Sequence, residues 1–185
     1  MLPAPEDLRP GDFLLYRGKG PASLVIKAVT ASVYTHVEQY DGGAMSWASR
    51  DGIGVDRYPL RYDDLALAVR FRESVPFSMA GARRYWVASI GKGYDWIGLA
   101  ISRVPRWQGG QREEDKEFCS EAATRAARFG IAEKLGLRYS VAKGMSGQVR
   151  DTLKAMGYDP FNGKNADGVY PGMFADCPFL EEVTR

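Results

Sequence analysis

The chain has little histidine and little cysteine, and both scarcities exclude classes of protein. Its 185 residues include one histidine, His36, and two cysteines, Cys119 and Cys177. A single histidine excludes metal sites built from several histidines, and two cysteines are too few for a disulfide-stapled scaffold. The sequence also lacks a glycine-rich phosphate loop between a strand and a helix. We therefore expect neither a resident metal nor any other cofactor.

The chain also lacks an excess of charge of one sign, and it lacks long apolar runs. The 25 Lys and Arg residues nearly balance the 23 Asp and Glu residues, which gives a net charge of +2. The chain has no basic block that would indicate a nucleic-acid partner. No apolar run approaches the roughly 20 residues of a membrane-spanning helix. The N-terminus has no secretory signal pattern. We expect synthesis in the cytoplasm, with release on lysis or packaging into a virus particle left open.

What the chain does contain is enough apolar surface for one folded domain. Apolar residues make up 45% of the sequence and aromatic residues 12%, which is ordinary for a protein with a single core. We expect residues 1–157 to form this domain. Residues 158–185 are rich in glycine and proline, so an irregular tail is expected there, packing on the same domain or on a partner.

Hydrophobic periodicity changes along the chain. Alternation and turn residues predict strands first, and a helical period predicts mostly helices later. The predicted strands cover residues 13–17, 34–40, 44–49, 55–58 and 65–71, and the predicted helices cover residues 21–31, 77–90, 94–102, 118–129 and 146–156. Asp41-Gly42-Gly43 is expected to join the strands at 34–40 and 44–49 as a β-hairpin, and residues 103–116 are expected to form a surface loop. Gly130 is expected to end the helix that begins near residue 118. This order indicates an α+β fold with a small antiparallel sheet packed on helices.

The lone histidine falls within a predicted strand. Because side chains alternate along a strand, His36, Glu38 and Tyr40 are expected on one face. An imidazole can serve as a general base near neutral pH. A histidine with no chemical role is the alternative interpretation.

Cys119 begins a predicted helix. Free N–H groups and the positive end of the helix dipole favour a thiolate there, and a backbone N–H can stabilise an oxyanion. The alternative is a small apolar side chain packed beneath the helix. Cys177 lies in the tail just before Pro178 and is interpreted as structural. One cysteine and one distant histidine are typical of a candidate thiol enzyme, although spacing alone does not bring them together.

Several short motifs occur in a recognisable order. They are Pro10-Gly11-Asp12 before a strand, Thr35-His36-Val37, Ala48-Ser49 followed by Gly54-Val55, Gly91-Lys92-Gly93-Tyr94-Asp95-Trp96, and Phe118-Cys119-Ser120-Glu121. The set spans about residues 9–130 and resembles the circularly permuted branch of the NlpC-type papain-like superfamily, the YiiX-like proteins. The resemblance implies a permuted papain-like fold, with Cys119 as the nucleophile and His36 as its base. It also implies that Tyr94 lies beside the nucleophile and helps to hold the oxyanion.

The resemblance further implies a polar third residue that orients the histidine. Related permuted proteins are expected to carry an acidic residue near the position that Trp47 occupies here, and an indole cannot accept a hydrogen bond from imidazole. Ser46 and Ser49 are neighbouring candidates. Glu38 is another, although a residue two positions along the same strand is expected to be poorly placed. Without an orienting residue, activity would be weak or lost.

Three functions remain open at this point. The first is a cysteine hydrolase of amide bonds, with peptidoglycan stem peptides as the substrate that the resemblance favours. The second is a weak or inactive papain-like module that serves as a structural component of a larger assembly, such as a phage particle. The third is a lipid acyltransferase or deacylase that works through a cysteine thioester.

Overall fold

The computed structural model describes residues 2–96, 115–139 and 145–184, and a six-stranded antiparallel sheet lies at the centre of these residues. The strand order is β4-β3-β2-β1-β5-β6. The elements are β1 (Phe13–Tyr16), α1 (Pro21–Thr30), β2 (His36–Gly42), β3 (Met45–Arg50), β4 (Gly54–Pro59), β5 (Leu65–Phe71), α2 (Met79–Ser89), α3 (Cys119–Lys134), α4 (Met145–Ala155), α5 (Gly172–Ala175) and β6 (Leu180–Glu182). None of the helices in these described ranges is long and apolar enough to cross a membrane.

Both faces of the central strands are buried. Phe13, Leu15 and Val37 belong to the main core, which α2 and α3 complete on one face of the sheet. Leu14 and Tyr16 point to the other face and belong to a smaller cluster. Because side chains alternate along each strand, Glu38 is directed to the same face as Leu14, its partner across the β1–β2 ladder.

The hairpin predicted between β2 and β3 is confirmed. Gly42 has a φ of 92°, and Gly43 and Ala44 follow with φ values of 59° and 60°. Left-handed backbone at consecutive residues makes a tight reversal, which glycine adopts without steric cost. This turn fixes the register that places Ser46 opposite Tyr40 and Trp47 opposite Gln39.

The prediction that Gly130 ends its helix is wrong, because α3 continues to Lys134. A Cβ atom at Gly130 would overlap the ring of Phe77 and come within 2.8 Å of the Ser78 carbonyl oxygen. The glycine is therefore needed for close packing of two chain segments. Gly136, with a φ of 73°, occupies the left-handed position after the helix instead.

The C-terminal segment contributes to the domain's own core. Phe161 and Phe174 pack on each other with ring centroids 4.9 Å apart, and both belong to the main cluster. Arg128 of α3 pairs with Asp159 at 2.7 Å, with both side chains buried. The sequence did not predict β6, which pairs with β5. The predicted helix at 94–102 and the predicted loop at 103–116 lie mostly outside the described residues.

Candidate active site

The two residues singled out by the sequence meet at one end of the sheet. Cys119 is the first residue of α3, and the side chain of His36, the first residue of β2, hydrogen-bonds it. The sulfur also accepts hydrogen bonds from the backbone N–H groups of Val37 and Ser120. Burial raises the pKa of the Cys119 thiol, but the charge of His36 and these hydrogen bonds outweigh burial, and the pKa lies below its ordinary value.

The imidazole of His36 is held from both sides. Its Nε2 lies 3.0 Å from Oε1 of Glu38, which leaves Nδ1 as the nitrogen that faces Cys119. The side chain is 15% exposed. Burial lowers the pKa of His36, but the thiolate and the Glu38 carboxylate together raise it to about 9. The proton that the two groups share is therefore favoured on the imidazole, and a thiolate–imidazolium pair results.

The carboxylate of Glu38 is fully buried and surrounded by donors. Oε1 accepts from Arg50 and Arg61, each at 2.8 Å, and Oε2 accepts from Ser46 at 2.5 Å and from Tyr16 at 3.3 Å. Burial raises the pKa of Glu38, yet the hydrogen bond and charge of His36, with Arg50 and Ser46, hold it well below its ordinary value. Glu38 is thus an ionised acceptor in contact with the histidine.

The expectation that Glu38 is poorly placed is wrong. His36 and Glu38 lie on the same face of β2, as the alternation predicted, and the glutamate side chain is long enough to reach back to Nε2. The third polar group therefore comes from the same strand as the histidine. It does not come from the neighbouring strand.

Trp47 faces the other side of the sheet. It lies opposite Gln39 in the ladder and stacks on Trp86 of α2, with ring centroids 6.4 Å apart and planes within 10°. Ser46, the residue before it, is directed to the Glu38 face, as the hydrogen bond to that carboxylate shows. An orienting group at position 47 itself would point away from His36.

Ser49, a candidate from the sequence, has a different partner. Its hydroxyl donates to the backbone carbonyl of Glu117 at 2.5 Å, two residues before Cys119. Ser49 is buried, and among the described residues it contacts this carbonyl and not the imidazole. It fixes the backbone that leads into α3.

Tyr94 lies beside Cys119, where the resemblance placed it. Its hydroxyl hydrogen-bonds Cys119, and burial together with the charge of Cys119 raises its pKa well above the ordinary value. The phenol is therefore a neutral donor. Its position is set by the preceding residue, because Gly93 accepts a hydrogen bond from the Glu117 N–H at 2.9 Å and donates one to the Asp115 carbonyl at 2.8 Å.

Glu117 is a second fully buried carboxylate near the cysteine, and no pattern in the sequence singles it out. Its Oε1 accepts hydrogen bonds from Tyr85, Lys92 and Arg125 at 2.5, 2.6 and 2.5 Å. Its Oε2 has no hydrogen-bond partner among the described residues. The side chain therefore anchors the segment before Cys119 to α2, to the Lys92 loop and to the next turn of α3.

A cleft of about 470 Å³ opens beside these residues. His36, Tyr94 and Ile26 line it, together with charged side chains that include Arg17, Lys19, Arg50, Asp51, Arg61 and Asp64. Cys119 is only 1% exposed and is not among the lining residues. The sulfur lies behind the cleft wall.

Sequence reasoning missed Tyr16, Arg50 and Arg61, although each contacts Glu38. Alternation along β3 gives a partial signal for Arg50, since residues 46 and 50 share a face. Arg61 lies 23 residues from Glu38 in the chain, outside any regular element, and no local pattern indicates the contact.

A search of solved structures finds the same fold. The chain resembles the metalloprotein YiiX from Escherichia coli O157:H7 (DUF1105) with a TM-score of 0.57 and 18% identity, covering 97% of this chain and 98% of that one. No family model matches the chain, and no curated protein matches it in sequence. At this identity the likeness shows the fold alone. It confirms the circularly permuted papain-like α+β fold.

The described residues do not fit a metal centre, although that neighbour is described as a metalloprotein. Within the described part of the chain, no group of three or more His, Cys, Asp or Glu side chains could hold a metal ion. The carboxylate nearest His36 already accepts from two arginines, and their positive charges oppose a cation.

Proposed function

We propose that the protein is a cysteine hydrolase of amide bonds, with Cys119 as nucleophile, His36 as acid and base, and Glu38 as the group that orients the imidazole. One observation supports this most. The hydrogen bonds run without interruption from the thiol to the imidazole to an ionised, fully buried carboxylate. A histidine fixed by a carboxylate on one nitrogen presents the other to the nucleophile in a defined tautomer.

The reaction follows from these positions. The Cys119 thiolate attacks the carbonyl carbon of the amide, and the electron pair of the carbonyl moves to its oxygen. The His36 imidazolium gives its proton to the leaving amine as the C–N bond breaks, which leaves a thioester on Cys119. Neutral His36 then takes a proton from water, and the hydroxide formed attacks the thioester and releases the acid.

The developing oxyanion has two donors in reach of the sulfur. The backbone N–H of Cys119 stands at the start of α3, where the first N–H groups of a helix lack intrahelical acceptors. The Tyr94 hydroxyl is a neutral phenol beside the same sulfur. Both groups are fixed before substrate binds, which is the condition for electrostatic stabilisation of the transition state.

For the substrate we propose a class of molecule, a short peptide segment, and no single compound. The cleft, at about 470 Å³, lies within the range of small-ligand sites and suits a short peptide segment. Peptidoglycan stem peptides are the first candidates, on the strength of the resemblance seen in the motifs. Glu38 favours an enzyme over an inactive module, because it is an orienting group for His36 that Trp47 does not provide, and Arg50 and Arg61 hold it in place.

The test is the pH dependence of Cys119 alkylation by iodoacetamide, measured in a Cys177→Ser background. We expect fast reaction well below pH 8.5, the pKa of an ordinary thiol, because the Cys119 pKa is lowered. His36→Ala should move the onset of reaction to higher pH. Amide hydrolysis, followed by mass spectrometry on stem-peptide fragments, should also fall above about pH 9, where His36 loses its proton. An ordinary thiol profile in both proteins would contradict the proposal.

A further inference from the structure

The nucleophile is covered in this structure. Cys119 is 1% exposed and lies behind the cleft wall. An attacked carbonyl carbon must come to about 3–3.5 Å from the sulfur, which requires space that the closed arrangement does not provide. Some part of the wall must therefore move before a substrate can react.

Ile26 of α1 lies at the cleft, beside the start of α3. Its side chain is buried in a small cluster with Phe118, the residue before Cys119, and Tyr94 and Trp96 pack against that cluster. Ile26 and Tyr94 also line the cleft. The side chain thus lies between the cleft and the start of α3.

The rest of α1 is held lightly. Of its ten residues only Ile26 and Thr30 are buried, whereas Leu24 and Val25 are 61% and 53% exposed. The helix begins after Gly20 without a side-chain cap and ends at Ala31 in the left-handed conformation. A helix with few buried contacts has a low free energy of local opening. Ile26 and Thr30 lie one turn apart in the C-terminal half of α1, so no side chain of the N-terminal half is buried.

We propose that α1 is a movable cover and that Ile26 controls, by size, which molecules reach Cys119. Displacement of α1 about its Thr30 end withdraws Ile26 from Phe118 and Tyr94 and exposes the sulfur to the cleft. As a specificity determinant Ile26 rests on the proposed function, but access to the sulfur can be measured without any hydrolysis.

The experiment compares two thiol reagents on Cys119 in the Cys177→Ser background. Iodoacetamide is small, and the sulfur displaces its iodide; N-phenylmaleimide is bulky, and the sulfur adds across its double bond. We expect Ile26→Ala to raise the rate with N-phenylmaleimide by about tenfold or more, and to raise the iodoacetamide rate less. Ile26→Ala removes three carbon atoms that are buried when α1 is closed. Each buried carbon changes the equilibrium constant between the closed and open positions of α1 by about fourfold.

Leu24→Ala is the matched control, because Leu24 lies on the same helix and is mostly exposed. We expect it to leave both rates unchanged, and Ile26→Val to give an increase smaller than that of Ile26→Ala. Thermal unfolding of each variant shows whether the fold is intact. Equal rates in wild type and both Ile26 variants, or an equal increase in Leu24→Ala, would overturn the proposal.

The two proposals fail in different ways. An ordinary thiol pH profile in the wild type removes the proposed hydrolase but leaves the ratio of the two reagents as a measure of access. A lowered onset pH with no response to the Ile26 variants keeps the hydrolase and removes the movable cover.

Discussion

Two fully buried carboxylates, Glu38 and Glu117, flank the Cys119–His36 pair, and they differ in what binds them. Glu38 uses both oxygens, and one of its partners is the titrating imidazole of His36. Glu117 gathers a phenol and two cations on Oε1, while its Oε2 lacks a hydrogen-bond partner among the described residues.

The difference separates a chemical role from an anchoring role. Glu38 contacts a group that changes charge. Its negative charge raises the pKa of His36, and the charge of His36 in turn lowers the pKa of Cys119. Glu117 binds Tyr85, Lys92 and Arg125, and among the described residues no hydrogen bond joins it to His36. It holds backbone in place without titrating the site. Burial and ion pairing alone do not distinguish the two; the partner does.

The largest expected effect is that of Glu38→Gln on Cys119 chemistry. Glu38 raises the pKa of His36, so its neutralisation lowers that pKa and weakens the imidazolium that stabilises the thiolate. The onset of fast alkylation should therefore move to higher pH. Hydrolysis of any amide substrate should fall by about 10³- to 10⁴-fold, by analogy with loss of the orienting acid in serine triads. The measurements are the pH–rate profile with iodoacetamide and kcat/KM.

If the onset of alkylation in Glu38→Gln were unchanged, Glu38 would have only an anchoring role, and the proposed difference between Glu38 and Glu117 would be wrong. The matched control is Glu117→Gln, which removes the same charge from a carboxylate equally buried but not bonded to His36.

For Glu117→Gln itself we expect a loss of stability with little change in site titration. Removing one partner of a buried ion pair costs about 3–5 kcal/mol, because the remaining charges stay buried and less well paired. The expected loss lies near the lower end, about 3 kcal/mol, since Arg125 keeps its bond to Glu121. Denaturant unfolding measures this loss. A shift in alkylation onset as large as that in Glu38→Gln would contradict the anchoring role.

How much of this arrangement the sequence predicts depends on the range of each signal. Turn residues and alternation located β1 to β5, and the left-handed glycines of the β2–β3 turn confirmed the hairpin. Alternation also placed His36 and Glu38 on one face. The prediction that Gly130 ends its helix was wrong because a glycine needed for close packing on Phe77 has the same local pattern as a glycine that ends a helix.

Contacts between distant segments carry no such signal. Arg61 reaches Glu38 from a segment after β4, and Tyr85 and Lys92 reach Glu117 from 32 and 25 residues away. Their placement depends on the order of strands in the sheet and on the packing of α2 against α3. The expected poor placement of Glu38 was wrong for a related reason, since tertiary packing decides which side chain reaches Nε2 of His36.

The smallest expected effect is that of Trp47→Phe, which tests whether the helix-facing side of the sheet influences the site on the other side. The Trp47 Nε1 is buried without a hydrogen-bond partner among the described residues. Its removal relieves a cost of about 1–3 kcal/mol, which offsets the smaller ring volume, so stability should change by less than about 1 kcal/mol. The alkylation onset should not move. Trp86→Phe is the control in the same stack, because the Trp86 Nε1 donates to Gln39 at 2.7 Å and its loss leaves a buried acceptor unpaired. A shifted onset would show that position 47 acts on His36, and a larger destabilisation for Trp47→Phe than for Trp86→Phe would contradict the expected gain from removing the unpaired Nε1.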